Sequence, residues 1–161
     1  MSATIPNREW FLDYIRAFNA HDYDKQYSYY ADDVTLDIPD PQTGMLRGKE
    51  GIKAHYLPLF DVCEEIVVPM VVAIEGKHVF YIMESYFKYT KKMEKGVFGY
   101  PVEVGDIIKI RVWAHYQVED GLMKEIVCNL FKAEHLGQGD LKALVDESQS
   151  RAQADLVIPL V

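Results

Sequence analysis

Four acidic residues mark the stretch YADDVTLDIPDP, and Asp37 is the one whose spacing suits chemistry. The first two aspartates have the composition of a turn, whereas Asp37 follows the alternating apolar residues Val34 and Leu36. A carboxylate at this point could face water at the end of a strand, or it could point into an apolar pocket. In a pocket, desolvation would raise its pKa, which suits a general acid or base near neutral pH.

Two further residues on candidate helices could take part in proton transfer. Tyr14 could donate a hydrogen bond from its phenol to a developing enolate oxygen, or it could simply pack against a sheet. His55 lies beside the apolar residues Ile52, Tyr56 and Leu59, and its ordinary pKa of about 6.5 suits acid–base catalysis. No His and carboxylate residues cluster at ligand spacing, so we expect no metal and no cofactor.

Helices in the first third of the chain must position these residues. Phe11, Tyr14, Ile15 and Phe18 recur at helical spacing, and Asn7 is available as the N-cap. The patterns predict helices over Ala3–Ala20, Asp24–Ala31 and Lys49–Phe60, and a strand over Val34–Ile38 that Pro39, Pro41 and Gly44 end.

The second half of the chain has the pattern of an antiparallel meander. Alternating apolar residues predict strands over Ile66–Ile74, Val79–Thr90, Asp106–Glu119 and Leu122–Lys132, the last two joined by an Asp120-Gly121 hairpin turn. A final helix begins at Gly139-Asp140. The order of helices, meander and helix predicts an α+β domain whose curved sheet buries its apolar face under the helices.

Length and composition limit the classes of function. The 161 residues suit one domain with a single core, so we expect residues 1–161 to form one domain. The formal net charge is −8 and the basic residues are scattered, which argues against a nucleic-acid partner. No apolar run reaches membrane-spanning length, and the first residues lack a signal-peptide core. The two cysteines, Cys63 and Cys128, match no metal-binding or redox spacing. We therefore expect a cytoplasmic protein with reduced thiols and no membrane partner.

Several stretches resemble one family in their order and spacing. They are YIRAFNAHDYDKQYSYYADDVTLDIP, GMLRGKEGIKAHY, GVFGYPVEVG and EDGLMKEI. Together they resemble the SnoaL-like and ketosteroid-isomerase-like branches of the nuclear-transport-factor-2-like superfamily over a core of about residues 8–132. A C-terminal helix and an apolar tail, residues 133–161, follow this core. The resemblance implies a cone-shaped domain in which a strongly curved antiparallel sheet wraps around N-terminal helices, a cystatin-like α+β barrel with a deep apolar cavity.

The resemblance also implies which side chains face that cavity, because residues two apart in a strand share a face. The implied substrate-binding residues are Phe18, Tyr56, Met83, Ser85, Phe87, Tyr89, Val112, Ala114, Tyr116, Cys128 and Leu130. The opposite, convex face carries Lys109, Arg111, Trp113, His115 and Gln117. In this superfamily that face commonly pairs subunits, so we expect a homodimer.

The mechanisms of related families transfer only in part. Tyr14 falls where ketosteroid isomerases carry their oxyanion-stabilising tyrosine, and Asp37 falls where epoxide hydrolases of this fold hold a water-orienting Asn. Ile38 replaces the catalytic Asp of the isomerases, and Met83 and Cys128 occupy other catalytic positions of the superfamily.

The resemblance therefore implies a cofactor-independent isomerase, cyclase or dehydratase acting on a hydrophobic polyketide- or terpenoid-like molecule. Asp37, Tyr14 and His55 are its expected catalytic residues. The alternative is a non-catalytic module of the same fold that binds a small molecule or dimerises. The apolar tail DLVIPLV is expected to close the pocket or to reach a neighbouring subunit.

Overall fold

Four α-helices and one curved sheet of six strands form the part of the chain that the structure, a computed structural model, describes: residues 6–38, 40 and 42–156. The helices are α1 Arg8–Asn19, α2 Tyr23–Ser28, α3 Gly48–Phe60 and α4 Leu141–Arg151, and a short 3-10 helix, Ala154–Leu156, follows. The strands are β1 Tyr30–Asp37, β2 Met45–Arg47, β3 Cys63–Glu75, β4 His78–Tyr89, β5 Asp106–Glu119 and β6 Leu122–Gln138.

The sheet has the strand order β2-β1-β6-β5-β4-β3 and is not closed into a full barrel. The α+β class, with a curved sheet against N-terminal helices, is confirmed. One detail differs from the predicted antiparallel sheet, because β1 runs parallel to β6 and pairs Leu36 with Ile126. The whole meander separates these two strands along the chain, so no tight turn fixes their relative direction.

Helix α1 begins where its cap satisfies the first free backbone groups. The side-chain oxygen of Asn7 accepts a hydrogen bond from the backbone N–H of Trp10 at 2.9 Å. The helix therefore begins at Arg8, later than the predicted Ala3, and residues 3–5 lie outside the described residues.

The other end of α1 is tied to the edge of the sheet. The buried amide of Asn19 donates to the backbone oxygen of Val67 at 2.9 Å and accepts from its N–H at 2.8 Å. Paired hydrogen bonds of this kind fix the angle of the helix on β3. They hold Tyr14 and Phe18 over the concave face of the sheet.

Three strands are longer than the apolar patterns predict, and β1 is one of them, since it begins at Tyr30 instead of Val34. Strand β6 continues to Gln138 instead of Lys132, and β3 begins at Cys63 instead of Ile66. The earlier start of β3 brings Glu65 into the sheet. An acidic residue that lay before the predicted strand thus becomes part of the concave surface.

Helix α4 packs on the convex face. The hydroxyl of Tyr86 donates to the backbone oxygen of Leu144 at 3.1 Å, and two guanidinium nitrogens of Arg151 donate to Glu84 at 3.1 and 2.7 Å. Both sheet residues are buried under the helix. Their position on the outer face agrees with strand alternation.

The predicted role of the apolar tail depends on residues 157–161, which lie outside the described residues. Pro39 and Pro41, which are predicted to end the first strand, also lie outside them. Leu156, at the last described position, is fully buried.

Candidate functional site

A cavity with two adjoining chambers lies between the concave face of the sheet and helices α1 and α3. The inner chamber, of about 50 Å³, is lined by Tyr14, Ile15, Phe18, Tyr30, Leu36, Tyr56, Glu65, Val67, Tyr81, Met83, Tyr116, Ile126 and Cys128. The outer chamber, of about 360 Å³, is lined by Ile38, Asp40, His55, Tyr56, Leu59, Glu65, Met83, Phe87, Val97, Phe98, Ile110, Val112, Cys128, Leu130 and Ala133. Four residues line both chambers and form the neck between them: Tyr56, Glu65, Met83 and Cys128.

Glu65 is a buried carboxyl group at this neck. Glu65 is 4% exposed, and one of its carboxyl oxygens, Oε1, accepts a hydrogen bond from the hydroxyl of Ser85 at 2.7 Å. The other oxygen, Oε2, is buried and has no hydrogen-bond partner among the described residues. Burial raises the pKa of Glu65 to about 7, and the bond from Ser85 offsets only part of that effect.

Strand alternation explains how Glu65 reaches the cavity. It shares a face of β3 with Val67, which also lines the inner chamber, while Glu64 points outward and is exposed. Glu65 is not among the predicted site residues, because the predicted strand begins one residue after it. The available signal was the in-phase spacing of Glu65 and Val67.

A connected pair of tyrosines faces the inner chamber. The hydroxyls of Tyr14 and Tyr30 are 2.8 Å apart, and the side-chain amide of Gln26 donates to the Tyr30 oxygen at 3.2 Å. Tyr30 can therefore give its hydrogen to Tyr14, which leaves the hydrogen of Tyr14 for a ligand. Burial is the main reason that the pKa of Tyr14 lies well above its ordinary value, so this phenol stays neutral and acts as a donor.

Tyr81 adds a further neutral phenol to the inner chamber. The residue is 2% exposed, and its hydroxyl is buried without a hydrogen-bond partner among the described residues. Burial, with a smaller contribution from the nearby carboxyl group of Glu65, raises the pKa of Tyr81 well above its ordinary value.

His55 lies in the outer chamber, on α3, together with Asp40 from the segment after β1. Burial lowers the pKa of His55, and the negative charge of Asp40 offsets part of this effect. The imidazole is consequently neutral near pH 7 and can accept a proton or a hydrogen bond.

Asp37 does not line either chamber, which corrects the prediction that it is the pocket carboxylate. It pairs with Val127 of β6, one position out of phase with the chamber-lining pair of Leu36 and Ile126. Ile38, the next residue, lines the outer chamber instead. The residue predicted to match the catalytic Asp of the isomerases thus lines the cavity, but it carries an apolar side chain.

Most of the predicted substrate-binding residues line the cavity. These are Phe18, Tyr56, Met83, Phe87, Val112, Tyr116, Cys128 and Leu130. Burial raises the pKa of Cys128 to about 12, so its thiol is neutral and a poor nucleophile.

Three predicted substrate-binding residues lie outside the lining. Ser85 is fully buried behind Glu65, to which it donates. Ala114 is buried in β5 and is not among the residues that line the chambers. The hydroxyl of Tyr89 accepts the backbone N–H of Val97 at 3.0 Å and so supports the loop before β5.

No group of three or more His, Cys, Asp or Glu residues that could hold a metal ion occurs in the described part of the chain. Among the same residues, no helix is both long and apolar enough to span a membrane. A buried carboxyl group that titrates near neutrality, close to neutral phenol donors, can move a proton beside a carbonyl group.

Comparison with known proteins gives a family and a common fold. Residues 11–126 match the family described as the SnoaL-like domain. A search of curated proteins found no match.

Solved structures of similar fold include two candidate polyketide cyclases and a designed protein. The cyclase from Xanthomonas campestris pv. campestris has 18% identity and a TM-score of 0.63, with 87% of this chain and 94% of that chain covered. The candidate cyclase from Pseudomonas putida has 21% identity and a TM-score of 0.63, with 91% of this chain and 97% of that chain covered. A computationally designed 17-OHP binder has 16% identity and a TM-score of 0.62, with 81% of this chain and 95% of that chain covered. At these identities the likeness shows a common fold.

Proposed function

The chain belongs to the SnoaL-like domain family, and we propose that it is a cofactor-independent enzyme that moves a proton beside a carbonyl group of a hydrophobic small molecule. One observation carries the proposal: Glu65 is buried at the neck of an apolar cavity, and one of its oxygens has no hydrogen-bond partner in the part of the chain that the structure describes. An unpaired carboxylate at such a place is costly to the fold, and such groups are concentrated at active sites.

The proposed reaction uses Glu65 as the base and Tyr14 as the hydrogen-bond donor. Oε2 of Glu65 takes a proton from the carbon next to the carbonyl, the electron pair of that C–H bond forms a C=C bond, and the carbonyl oxygen becomes an enolate. Tyr14 stabilises the negative oxygen by donating its hydroxyl hydrogen. In a substrate with a C=C bond beside the reacting carbon, the enolate extends over that bond, and Glu65 returns the proton to its far carbon, which completes an isomerisation. Alternatively, the enolate carbon attacks a second carbonyl group of the same molecule; the C–C bond closes a ring, the C=O π bond breaks, and the resulting alkoxide oxygen takes the proton back from Glu65.

The chamber sizes and walls support a hydrophobic substrate. The outer chamber of about 360 Å³ is mostly apolar and can hold the body of a polyketide- or terpenoid-like molecule. His55 would serve as a second acid–base group for a substrate that fills this chamber. The polyketide cyclase designation of the fold neighbours supports the same substrate class.

We also propose that the protein is a cytoplasmic homodimer. The two free cysteines, Cys63 and Cys128, favour a reducing compartment. Pairing through the convex face is the arrangement common in this superfamily.

A generic proton-abstraction substrate tests the proposal directly. In 5-nitrobenzisoxazole a base removes the C–H proton while the ring N–O bond breaks, which gives a nitrile and a coloured nitrophenolate. We expect Glu65→Gln to lower this rate by about two to four orders of magnitude, since the amide cannot accept the proton. The wild-type rate should rise with pH through about 7, as the carboxyl group ionises.

The exposed neighbour Glu64 supplies the matched control, because Glu64→Gln makes the same chemical change outside the cavity. Equal rates for wild type and Glu65→Gln, with the probe bound by both, would refute the assignment of Glu65 as the base.

The second candidate function is a small-molecule-binding module without catalysis. It is favoured by Ile38, Met83 and Cys128, which bring no acid or base to the cavity lining. The designed 17-OHP binder of similar fold supports it as well. This reading requires Glu65→Gln to bind apolar ligands at least as tightly as wild type while neither protein accelerates proton abstraction.

A further inference from the structure

Two buried polar atoms that lack hydrogen-bond partners among the described residues belong to side chains that line the inner chamber. Glu65 Oε2 and the hydroxyl of Tyr81 are the buried side-chain nitrogen or oxygen atoms that lack a hydrogen bond within the described ranges. Both residues line the same chamber, and each is more than nine-tenths buried. An unmade hydrogen bond on a buried group costs the fold the full desolvation of that group, so two in one small space indicate a group that belongs there.

We propose that the inner chamber is a subsite for a hydroxyl oxygen, such as that of a phenol or an enol, at one end of an otherwise apolar ligand. In a bound phenol or enol, the hydroxyl would accept the hydrogen of Tyr81 and donate its own hydrogen to Oε2 of Glu65, whereas the keto form of a substrate leaves Oε2 free to take the C–H proton. This inference deepens the proposed function by naming the group that the site recognises, and it rests on that function only through the common use of Glu65.

The size of the inner chamber restricts what enters it. A volume of about 50 Å³ accommodates only a few non-hydrogen atoms, so the body of the ligand must lie in the outer chamber. The ligand would pass the neck with its narrow, oxygen-bearing end first.

The charge of the inner chamber restricts the type of oxygen. Among the described residues that line the inner chamber, Glu65 is the one acidic residue, and none is Lys, Arg or His. An anionic ligand would be repelled by the ionised carboxylate. Above a pH of about 7, where Glu65 is ionised, a carbonyl oxygen could accept from Tyr81 but would leave the carboxylate without a donor, whereas a hydroxyl satisfies both atoms.

Two ligands of matched shape test this subsite. They are 2-naphthol and 2-methylnaphthalene, which differ by a hydroxyl in place of a methyl group. We expect wild type to prefer 2-naphthol, and Tyr81→Phe to reduce the ratio of the two dissociation constants about tenfold, because it removes one hydrogen bond and keeps the ring. The measurement is fluorescence titration of both ligands, and Tyr29→Phe, which removes a hydroxyl outside the cavity lining, is the control.

A second measurement needs no ligand. Since the hydroxyl of Tyr81 has no partner, Tyr81→Phe should unfold at the same temperature as wild type or at a higher one. A lower unfolding temperature would contradict the unpartnered state and the subsite with it.

The remaining outcomes separate this inference from the proposed function. If the naphthol preference is the same in wild type and Tyr81→Phe, the chamber holds water only and the subsite is refuted, while loss of proton abstraction in Glu65→Gln would still stand. If the preference falls in Tyr81→Phe but Glu65→Gln keeps full proton abstraction, the subsite stands and the catalytic proposal is refuted.

Discussion

At the scale of single residues, the domain has two buried glutamates with opposite environments. Glu84, on the convex side of β4, is also buried, but hydrogen bonds from Arg151, Ser148 and Lys109 outweigh the effect of burial and lower its pKa to about 2. Glu65, on the cavity side, has Ser85 alone, and its pKa rises to about 7. The fold thus satisfies one buried carboxylate with cations and leaves the other available, which is the arrangement that a catalytic acid or base requires.

The raised pKa of Glu65 makes the stability of the protein depend on pH. The folded protein keeps a proton that the unfolded chain releases above the ordinary carboxyl pKa of 4.5. Full stability is therefore present below about 4.5 and is lost as pH rises to about 7, by roughly 3 kcal/mol. We expect Glu65→Gln to remove this loss, so that the variant is more stable than wild type above pH 7.

Chemical denaturation at a series of pH values measures this effect, with Glu64→Gln as the control that should follow wild type. Parallel stability curves for wild type and Glu65→Gln between these two pH values would show that Glu65 is not a buried, unpaired carboxyl group.

At the scale of elements, the sequence predicts what local patterns control. The spacing of Phe11, Tyr14 and Ile15 predicts α1, and the Asp120-Gly121 turn predicts the hairpin of β5 and β6, because each depends on neighbours in the chain. The first residue of β3 and the parallel partner of β1 depend on distant contacts, so no local pattern determines them.

The composition of the candidate site depends on which face of a strand each side chain occupies. An error of one residue in the start of a strand reverses that assignment. Alternation from Val34 and Leu36 already places Asp37 on the outer face, but the predicted role of Asp37 relies on its match to a family position. Glu65 lies one residue before the predicted strand and was missed for that reason. A shift of one residue moves a side chain from one face of a sheet to the other, so the pocket carboxylate could not be assigned from sequence alone.

The attachment of α4 to the sheet depends on one ion-pair cluster and can be tested. Arg151 makes a double hydrogen bond with buried Glu84. We expect Arg151→Ala to lower the free energy of unfolding by about 2 kcal/mol, because Glu84 keeps Lys109 as a partner but loses its main one. Amide hydrogen exchange in α4 should accelerate, since the helix loses its anchor.

The control for this experiment is Lys142→Ala on the same helix. Lys142 pairs with Asp146 in a solvent-exposed i,i+4 bridge, which contributes about 0.5 kcal/mol or less. Equal stability losses in the two variants would mean that the buried cluster does not hold the helix.

At the scale of the whole molecule, the convex surface divides into a covered part and an exposed part. Helix α4 covers Glu84 and Tyr86, whereas the rest of the sheet exposes an aromatic patch formed by Phe80, Trp113 and Phe131, which are 51%, 52% and 66% exposed. The rings of Trp113 and Phe131 are stacked with centroids 5.7 Å apart. An exposed aromatic group of this size on the outer face of a sheet is typical of a protein interface, and it supports the proposed homodimer.

A charge placed in the aromatic patch tests the proposed homodimer. We expect wild type to be a dimer by light scattering and Trp113→Asp to be a monomer at the same concentration, because the carboxylate would have to lose its water in the interface. Val104→Asp is the matched control, since Val104 is an apolar residue 61% exposed in the loop before β5, and it should leave the dimer intact. A monomeric wild type, or a Trp113→Asp variant that remains a dimer, would exclude this surface as the interface. If the dimer forms, the two cavities open on the sides of the sheets away from the interface, so the loss of pairing should leave ligand binding in each subunit unchanged.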